Sequence, residues 1–298
     1  MSSGPAGHVA RSTPPSTVRP HRETTGGTGS ARKRTFLHTA DGVRIEAVYE
    51  PPRAVYEPPD EPAAGDGDTA RPPAGHLVFV IAHGFTGDVN RPHVRRVARA
   101  LAHHGAVVTF SFRGHGASGG RSTVGDREIL DLAAAVDWAR ALGHTRVVTV
   151  GFSMGGSVVL RHAALHREQE LAAVVSVSAP ARWYYRGTAP MRRLHWLVTR
   201  PAGRLVGRYG LRTRIHHRDW DPVPLSPVEA VPRIAPTPLL IVHGDRDGYF
   251  PLDHPYMLAT AAGDHAALWI EPGMGHAEHA ADDALLARMG DWATGVAG

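Results

Sequence analysis

Residue types used in nucleophilic catalysis follow three separate apolar runs of the chain. Ser153 lies between glycines in GFSMG (151–155), after the run RVVTVGF and before a helical pattern. Asp245 and Asp247 follow TPLLIVHG, and His276 follows AALWIEPG at a short distance. A serine becomes a nucleophile when a histidine takes its proton and a carboxylate orients that histidine. The residues therefore predict a nucleophilic serine at Ser153, with His276 as base and an aspartate as orienting acid.

Each of these residues also has a purely structural interpretation. A serine between glycines can cap a helix, and aspartate is a common turn residue. The chain holds 20 histidines and 33 glycines, so a lone loop histidine or a lone G-x-S-x-G match is weak evidence. The catalytic interpretation is favoured because all three residue types fall at the ends of predicted strands.

Apolar runs alternate with helical patterns from residue 76 onward. Strands are predicted at 76–84, 106–112, 146–152, 171–179, 237–245 and 266–273, and helices near 91–104, 126–142, 154–168, 251–262 and 278–296. Continuous apolar strands that alternate with helices predict an α/β fold with a mostly parallel central sheet and helices on both faces. Ligands of such sheets bind beyond the carboxyl ends of the strands, where Ser153, Asp247 and His276 all fall.

Two segments lack this periodicity. Residues 1–34 form a basic tail dense in Gly, Pro, Ser and Thr, and we predict disorder because this composition buries too little apolar surface. A β-hairpin is predicted around Asp41-Gly42. Next, the Pro-rich segment 51–75 is interpreted as a surface loop. It repeats AVYEPP, which is either a docking motif or, as we favour, a slipped repeat.

The net charge of +5 is unevenly distributed along the chain. Residues 1–34 carry +5 and residues 180–236 carry +8, so the remainder is acidic at −8. A continuous phosphate-binding face is not expected, and no nucleic-acid partner is predicted. The chain has no cysteine, which excludes a thiolate nucleophile and cysteine-ligated zinc. No apolar run approaches a membrane span, and no secretory signal is recognised, so we predict a cytoplasmic protein.

Several segments together resemble those of α/β-hydrolase-fold serine hydrolases. They are AHGFTG (82–87), FRGHGASGG (112–120), GFSMGG (151–156), HGDRDGYFP (243–251) and PGMGHAE (272–278). The order serine, aspartate, histidine along the chain is the order of that family. The layout is similar to the monoglyceride-lipase and serine-aminopeptidase-like branch. This resemblance implies a catalytic domain of residues 35–179 and 237–298, with a cap of residues 180–236 inserted between the sixth and seventh strands.

The resemblance also implies roles for individual residues. Asp247 is the triad acid and Asp245 supports its loop. The backbone N–H groups of Phe85 and Met154 form the oxyanion hole, which stabilises the charge that develops on the substrate oxygen. His276 takes the proton of the Ser153 hydroxyl, and water then cleaves the acyl-enzyme, with no metal or organic cofactor. His83 and Gly84 shape the oxyanion loop, while Arg113 and His115 are structural.

The predicted cap is rich in arginine and aromatic residues. Trp183, Tyr184 and Trp196 are candidates for an acyl-binding pocket, and the arginines for attraction of an anionic substrate or lipid headgroup. The alternative is that the aromatic rings pack the cap onto the body while the arginines are solvated.

We predict no metal site from the sequence. The candidate groups are His276, His279 and Asp282; His216, His217 and Asp219; and His162 with His166. The first two groups lack the spacing of a strong zinc signature. His162 and His166 are spaced i,i+4 but lack the glutamate of H-E-x-x-H, so they are assigned to a helix surface.

The sequence thus predicts a serine hydrolase that cleaves a small to medium acyl ester or a monoglyceride-like substrate. The same triad could serve a peptidase, thioesterase, carbon–carbon hydrolase or acyltransferase, because fold and triad do not fix the substrate. A non-catalytic binding protein with this fold is the remaining alternative. The oligomeric state is not predicted.

Overall fold

The computed structural model describes residues 32–53 and 77–297. Its strands are β1 (Lys33–His38), β2 (Arg44–Glu50), β3 (Leu77–Ala82), β4 (Ala106–Phe110), β5 (Arg146–Phe152), β6 (Ala173–Val177), β7 (Leu239–Gly244) and β8 (Ala266–Glu271). Its helices are α1 (Pro92–Leu101), α2 (Glu128–Ala141), α3 (Met154–Leu165), α4 (Ala189–Thr199), α5 (Pro201–Gly210), α6 (Pro227–Ala230), α7 (Asp253–Ala262), α8 (Ala277–Ala280) and α9 (Asp283–Val296). Short 3-10 turns occupy Arg167–Gln169, Val231–Arg233 and Gly263–His265.

The strands form one sheet in the order β1-β2-β4-β3-β5-β6-β7-β8. The hairpin of β1 and β2 is antiparallel and pairs antiparallel with β4, whereas the strands from β3 to β8 are parallel to one another. This arrangement confirms the mostly parallel sheet and the hairpin predicted from the sequence.

Both faces of the sheet are buried under helices. Along β3, Val78 and Val80 pack with the cluster that includes α2 and α3, while Phe79 and Ile81 pack with the cluster that includes α1 and α9. Successive strand side chains point to opposite faces, so a strand covered on both sides must be apolar at every position. This requirement explains the unbroken run LVFVIA.

Helix α3 is buried over nearly its whole surface, since only Leu165 of its twelve residues is exposed. The assignment of the pair His162 and His166 to a helix surface is therefore wrong for His162, which is fully buried. Its Nε2 lies 2.7 Å from Oε1 of Gln169. The helix is enclosed because β5 and β6 pack on one side and α2 and α6 on others.

The C-terminal helix differs from the single helix predicted at 278–296. The chain forms the short helix α8, leaves helical geometry at Ala281 and Asp282, and begins α9 at Asp283. The carboxylate of Asp282 accepts a hydrogen bond of 2.8 Å from the N–H of Leu285. Asp282 thus caps α9, which satisfies a backbone donor that has no partner within the helix.

The N-terminal boundary differs by two residues from the predicted end of the tail at residue 34. Strand β1 begins at Lys33, and the guanidinium of Arg34 pairs with the buried carboxylate of Glu46 on β2. The rest of the predicted tail, and segment 54–75 of the Pro-rich loop with its second AVYEPP copy, lie outside the described residues. No helix within residues 32–53 and 77–297 is long and apolar enough to cross a bilayer.

Arg113 joins the β1–β2 turn to the helical layer. Its buried guanidinium donates to both carboxylate oxygens of Asp41 at 2.7 and 3.0 Å, and to the carboxylate of Asp131 on α2. The N–H of Arg113 also donates to Asp131 at 2.8 Å. These bonds use the planar donor geometry of arginine, so Arg113 is a structural residue in this fold.

Helices α4, α5 and α6 lie in the chain between β6 and β7. This insert is attached to the loop after β4, because Arg214 N donates to Gly114 O at 2.8 Å and Ser122 N donates to Arg214 O at 2.7 Å. At the start of α4, Thr188 Oγ1 donates to Tyr249 O at 2.9 Å. The α4–α5 hairpin is therefore attached to the body at each end.

Gly155 permits the close approach of α3 to β3. A Cβ there would lie 2.1 Å from the carbonyl oxygen of Ala82 and 2.6 Å from its carbonyl carbon. Neither partner is a flexible side chain, so the helix would have to move. We expect Gly155→Ala to lower the free energy of unfolding, measured by urea denaturation, by about 1–3 kcal/mol.

Gly295→Ala provides a matched control for this prediction. Gly295 also lies in a helix, but a Cβ at that position would meet no atom within 4 Å. Its substitution should change the free energy of unfolding by less than about 1 kcal/mol. Equal stability of the two variants would contradict the packing argument.

Candidate active site

Ser153 lies at a sharp turn between β5 and α3. Its backbone has φ 52° and ψ −113°, a conformation that is strained for a residue with a Cβ. A Cβ at Gly151 would lie 2.2 Å from the carbonyl oxygen of Gly155, so the first glycine is required for the turn to close. The glycines on either side therefore permit a turn that places the Ser153 hydroxyl beyond the carboxyl end of the strand.

Side chains from three strand ends meet at this hydroxyl. The Ser153 Oγ lies 2.9 Å from Nε2 of His276, which follows β8. The other ring nitrogen of His276, Nδ1, lies 2.7 Å from Oδ2 of Asp247, which follows β7. The chain of serine, imidazole and carboxylate is thus continuous at hydrogen-bond distance.

The carboxylate of Asp247 is buried and surrounded by donors. Its Oδ1 accepts hydrogen bonds from the N–H groups of Tyr249 at 2.8 Å and Phe250 at 3.1 Å. Burial alone would raise the pKa of Asp247, but its hydrogen bond to His276, the charge of that ring and the two backbone donors outweigh burial and lower the pKa. Asp247 is therefore ionised at neutral pH, with its second oxygen directed at His276.

The neighbouring aspartate has a different environment. Asp245 is exposed, and its Oδ1 accepts a hydrogen bond of 2.6 Å from the N–H of Gly273 in the loop that precedes His276. It ties the loop after β7 to the loop after β8.

Two aromatic side chains against His276 were not singled out in the sequence. The ring of Tyr249 is stacked on the imidazole with centroids 4.2 Å apart and an interplanar angle of 25°, and Phe250 approaches at 5.6 Å. Both follow Asp247 directly in DGYFP, so proximity in sequence to the predicted acid was the available signal. They leave the imidazole little room to rotate away from the serine.

The loop after β3 packs beside this site and contains Phe85. Its ring lies 5.6 Å from that of His115, which in turn lies 5.2 Å from His83. Met154 is the first residue of α3, where the backbone N–H has no acceptor within the helix. The N–H of Gly87 donates to Gly84 O at 3.0 Å, which closes the loop into a turn.

His83 holds this loop from below. Its Nε2 accepts a hydrogen bond of 3.1 Å from the N–H of Phe112, so the ring proton lies on Nδ1, which donates to Gly84 O at 2.7 Å. Burial, followed by the charge of His115, lowers the pKa of His83 to about 3. The neutral imidazole therefore links the ends of β3 and β4.

Glu278 contacts the same loop from α8. Its buried carboxylate accepts a hydrogen bond of 3.0 Å from the N–H of Gly84. A Cβ at Gly84 would lie 3.0 Å from this oxygen, so the carboxylate occupies the space beside the backbone. Glu278 thus fixes the backbone of Gly84, the residue that precedes Phe85. This interaction was not predicted from the sequence.

The candidate acyl-pocket aromatics differ in their surroundings. Trp183 is half-buried, its Nε1 donates to Pro224 O at 2.8 Å, and its ring lies 5.1 Å from that of Trp220. Tyr184 is 54% exposed and also packs on Trp220, at 5.5 Å, while Trp196 on α4 is 49% exposed. The Trp183 ring also lies 5.9 Å from the guanidinium of Arg161 on α3, so it packs the insert onto the body. Tyr184 and Trp196 present apolar surface to solvent.

Arginines of the insert line a separate cavity of about 270 Å³ between α5 and the loop after β4. The lining residues are Arg121, Pro201, Arg204, Leu205, Arg208, Arg214 and Ile215. Ser153, Asp247 and His276 do not line this cavity, so it is distinct from the hydroxyl–imidazole–carboxylate site.

The histidine groups considered as metal ligands are arranged in different ways. Both ring nitrogens of His276 are directed at other partners, Ser153 and Asp247. His276 therefore has no nitrogen left to bind a metal ion together with His279 and Asp282. The rings of His216 and His217 are stacked at 5.1 Å.

Fold and site geometry together define the class. Residues 78–204 match the family model described as the alpha/beta hydrolase fold. With its eight-stranded sheet and the turn at Ser153, the chain has the α/β-hydrolase fold.

The chain is similar to several esterases and lipases of this class. It is 25% identical over 288 residues to the monoacylglycerol lipase of Mycolicibacterium smegmatis, an alignment that covers 83% of this chain and 91% of the lipase. The Pyrococcus furiosus esterase Pf2001 superposes with a TM-score of 0.66 at 22% identity, over 94% of this chain and 97% of the esterase. Est1E of Butyrivibrio proteoclasticus, solved with ferulic acid bound, superposes with a TM-score of 0.56 at 20% identity, over 88% of this chain and 97% of Est1E. The chain thus shares its fold with esterases and is similar in sequence to a lipase.

Proposed function

We propose that this protein hydrolyses a carboxylic ester through an acyl-enzyme intermediate on Ser153. The observation that carries the proposal is the chain of hydrogen-bond distances from Ser153 Oγ to His276 Nε2 and from His276 Nδ1 to the ionised Asp247. Acceptance by Asp247 fixes the ring proton on Nδ1, which leaves Nε2 free to take the serine proton.

The reaction follows from these proton positions. Ser153 Oγ attacks the ester carbonyl carbon while its proton passes to His276 Nε2, and a tetrahedral intermediate forms. This intermediate expels the alcohol, which receives the proton from Nε2, and the acyl group stays on Ser153. Water then attacks the acyl carbonyl while its proton passes to His276 Nε2; the bond between the acyl carbon and Ser153 Oγ breaks, Oγ receives that proton, and the carboxylic acid leaves.

The backbone N–H groups of Phe85 and Met154 are the proposed donors to the oxyanion. Support comes from the position of Met154 at the start of α3 and from the loop held by His83 and Glu278, which fixes the peptide preceding Phe85. Donors that are rigid before the reaction stabilise the developing charge without reorganisation.

The proposed substrate is a small to medium acyl ester or a monoglyceride-like ester. It rests on the similarity to a monoacylglycerol lipase and to esterases. Tyr184 and Trp196 are proposed to contact the acyl group, because both present aromatic surface on the insert.

Covalent labelling by a fluorophosphonate tests the proposed nucleophile. Mass spectrometry should locate the adduct on Ser153 in the wild-type chain, and Ser153→Ala and His276→Ala should both abolish it. Parallel assays with matched esters, thioesters and anilides of the same acyl chain should show the ester cleaved fastest. A faster thioester or anilide would assign the triad to another bond, and no labelling of a folded wild-type chain would support a binding protein.

A further inference from the structure

A second group of chemistry-bearing side chains lies beside the loop after β3. The cluster consists of His93 in the first turn of α1 and of Glu278 and His279 on α8, and we call it the His93 cluster. Each residue offers a nitrogen or carboxylate oxygen, and these ligand atoms all lie within 4.8 Å of one another. Within residues 32–53 and 77–297 it is the only such group of three histidine, aspartate or glutamate side chains.

The spacing of the cluster suits one small cation. Zn²⁺ binds histidine nitrogen and carboxylate oxygen at about 2.0–2.2 Å, so two ligands of one ion lie no more than about 4.3 Å apart. His93 Nε2 and Glu278 Oε1 are 3.9 Å apart, within this limit. The ring centroids of His93 and His279 lie 3.9 Å apart, with an interplanar angle of 38°. His279 is exposed, so a small movement of its side chain can bring its ring nitrogen within reach of the same ion.

The electrostatics of Glu278 favour a cation. Its side chain is 3% exposed, and among the described residues its only partner within ion-pair distance is His93. Arg96 lies close by but donates to the backbone carbonyls of Glu278 and Ala281 and to the carboxylate of Asp283. A buried carboxylate with so little compensation is costly, and a bound cation would offset that cost.

We propose that His93, Glu278 and His279 bind a divalent transition-metal ion of the Zn²⁺ or Co²⁺ type. Two imidazoles and one carboxylate form a mixed nitrogen and oxygen set, which suits these ions better than Mg²⁺ or Ca²⁺. The exposed edge of His279 gives the ion a route from solvent, and water completes the coordination.

The proposed metal site is linked to the oxyanion loop through Glu278. The carboxylate oxygen that faces His93 also accepts the Gly84 N–H, so a metal bond to that oxygen competes with or redirects this hydrogen bond. Metal binding should therefore change the reactivity of Ser153, and this second step rests on the proposed function.

Calorimetric titration of the untagged, EDTA-dialysed full chain with ZnCl₂ tests the metal site. We expect one site per chain, and His93→Ala and His279→Ala should each weaken it by at least about tenfold, since even outer partners of metal ligands contribute that much. The exposed His103, two residues after the end of α1, provides the control variant His103→Ala, which should bind as the wild type does. Co²⁺ should give a visible absorption band that the His93 and His279 variants lose. Equal Zn²⁺ affinity in all variants, or no binding by the wild type, would overturn the site.

The rate of fluorophosphonate labelling with and without ZnCl₂ tests the link to the oxyanion loop. We expect Zn²⁺ to change the labelling rate at least about twofold in the wild type and His103→Ala, but not in His93→Ala. An unchanged rate in Zn²⁺-saturated wild type would overturn the link. Absence of labelling in the metal-free wild type would instead count against the proposed function, while the calorimetric result for the metal site would stand.

Discussion

Ser153→Ala is expected to lower kcat for ester hydrolysis by about 10⁵- to 10⁶-fold. Loss of the hydroxyl removes the covalent pathway, and only binding and oxyanion stabilisation remain. His276→Ala should cost about as much, and the double variant little more, because nucleophile and base act as a unit. Asp247→Asn should cost about 10⁴-fold, since the amide no longer fixes the ring proton on Nδ1.

Ser157→Ala is the matched control for the Ser153 substitution. Ser157 lies one turn further along α3, and its Oγ is 3.5 Å from the carbonyl oxygen of Ser153. Removing this hydroxyl leaves the hydrogen bonds of His276 intact, so kcat should stay within about tenfold of the wild-type value. Steady-state kinetics on variants with unchanged circular dichroism would measure both effects. A Ser153→Ala variant within tenfold of wild type would contradict the assigned nucleophile.

Between pH 7 and pH 5 the free energy of unfolding is expected to fall by about 8 kcal/mol. Burial is the largest cause that lowers the pKa of four histidines, to about 3 for His83 and His162 and to about 4 for His115 and His254. In the unfolded chain each has a pKa near 6.5. Well above that pH neither state is protonated at these residues, and they add no pH dependence.

Below pH 6.5 only the unfolded chain binds protons at these histidines. Each then lowers the free energy of unfolding by about 1.4 kcal/mol per pH unit, or about 2 kcal/mol by pH 5. Asp41 causes a further decrease in the free energy of unfolding below about pH 4. Its pKa is lowered to about 2, mainly by the hydrogen bond from Arg113. The stability supplied by ionised Asp41 is present above its unfolded pKa and is lost as pH falls toward 2.

Urea unfolding at pH 7, 6, 5.5 and 5 measures this effect. The slope between pH 6 and 5 should correspond to an uptake of about three to four protons on unfolding. His162→Gln should reduce that uptake by about one proton, whereas His103→Gln, at an exposed position, should leave it unchanged. A free energy of unfolding that is constant from pH 7 to pH 5 would show that the buried histidines are not held neutral by the fold.

The order of strands and helices could be predicted because apolar runs and helical patterns are local features of the chain. The residues of the serine site could be selected for a related reason, since parallel strands bring their carboxyl ends to one edge. By contrast, the burial of His162 depends on what packs around α3, and the break at Asp282 depends on a single capping bond. Local pattern contains neither kind of information.

The interactions of Glu278 illustrate the same limit. Its bond to Gly84 and its proximity to His93 require α1 and α8 to meet, and these elements are distant in the chain. The stacking of Tyr249 on His276 depends on the path of the loop after β7. Such contacts follow from tertiary geometry, although sequence analysis had already selected the neighbouring residues Asp247 and His276.

The attachment of the α4–α5 hairpin at each end has a practical consequence for protein engineering. The bond from Thr188 to Tyr249 and the backbone bonds of Arg214 to Gly114 and Ser122 mark the ends of a segment that leaves and rejoins the body at defined points. Residues 189–213 can therefore be treated as an exchangeable cassette. Grafting a hairpin of different shape between these attachments offers a way to vary the surface of the insert while the serine, histidine and aspartate stay on an unaltered frame.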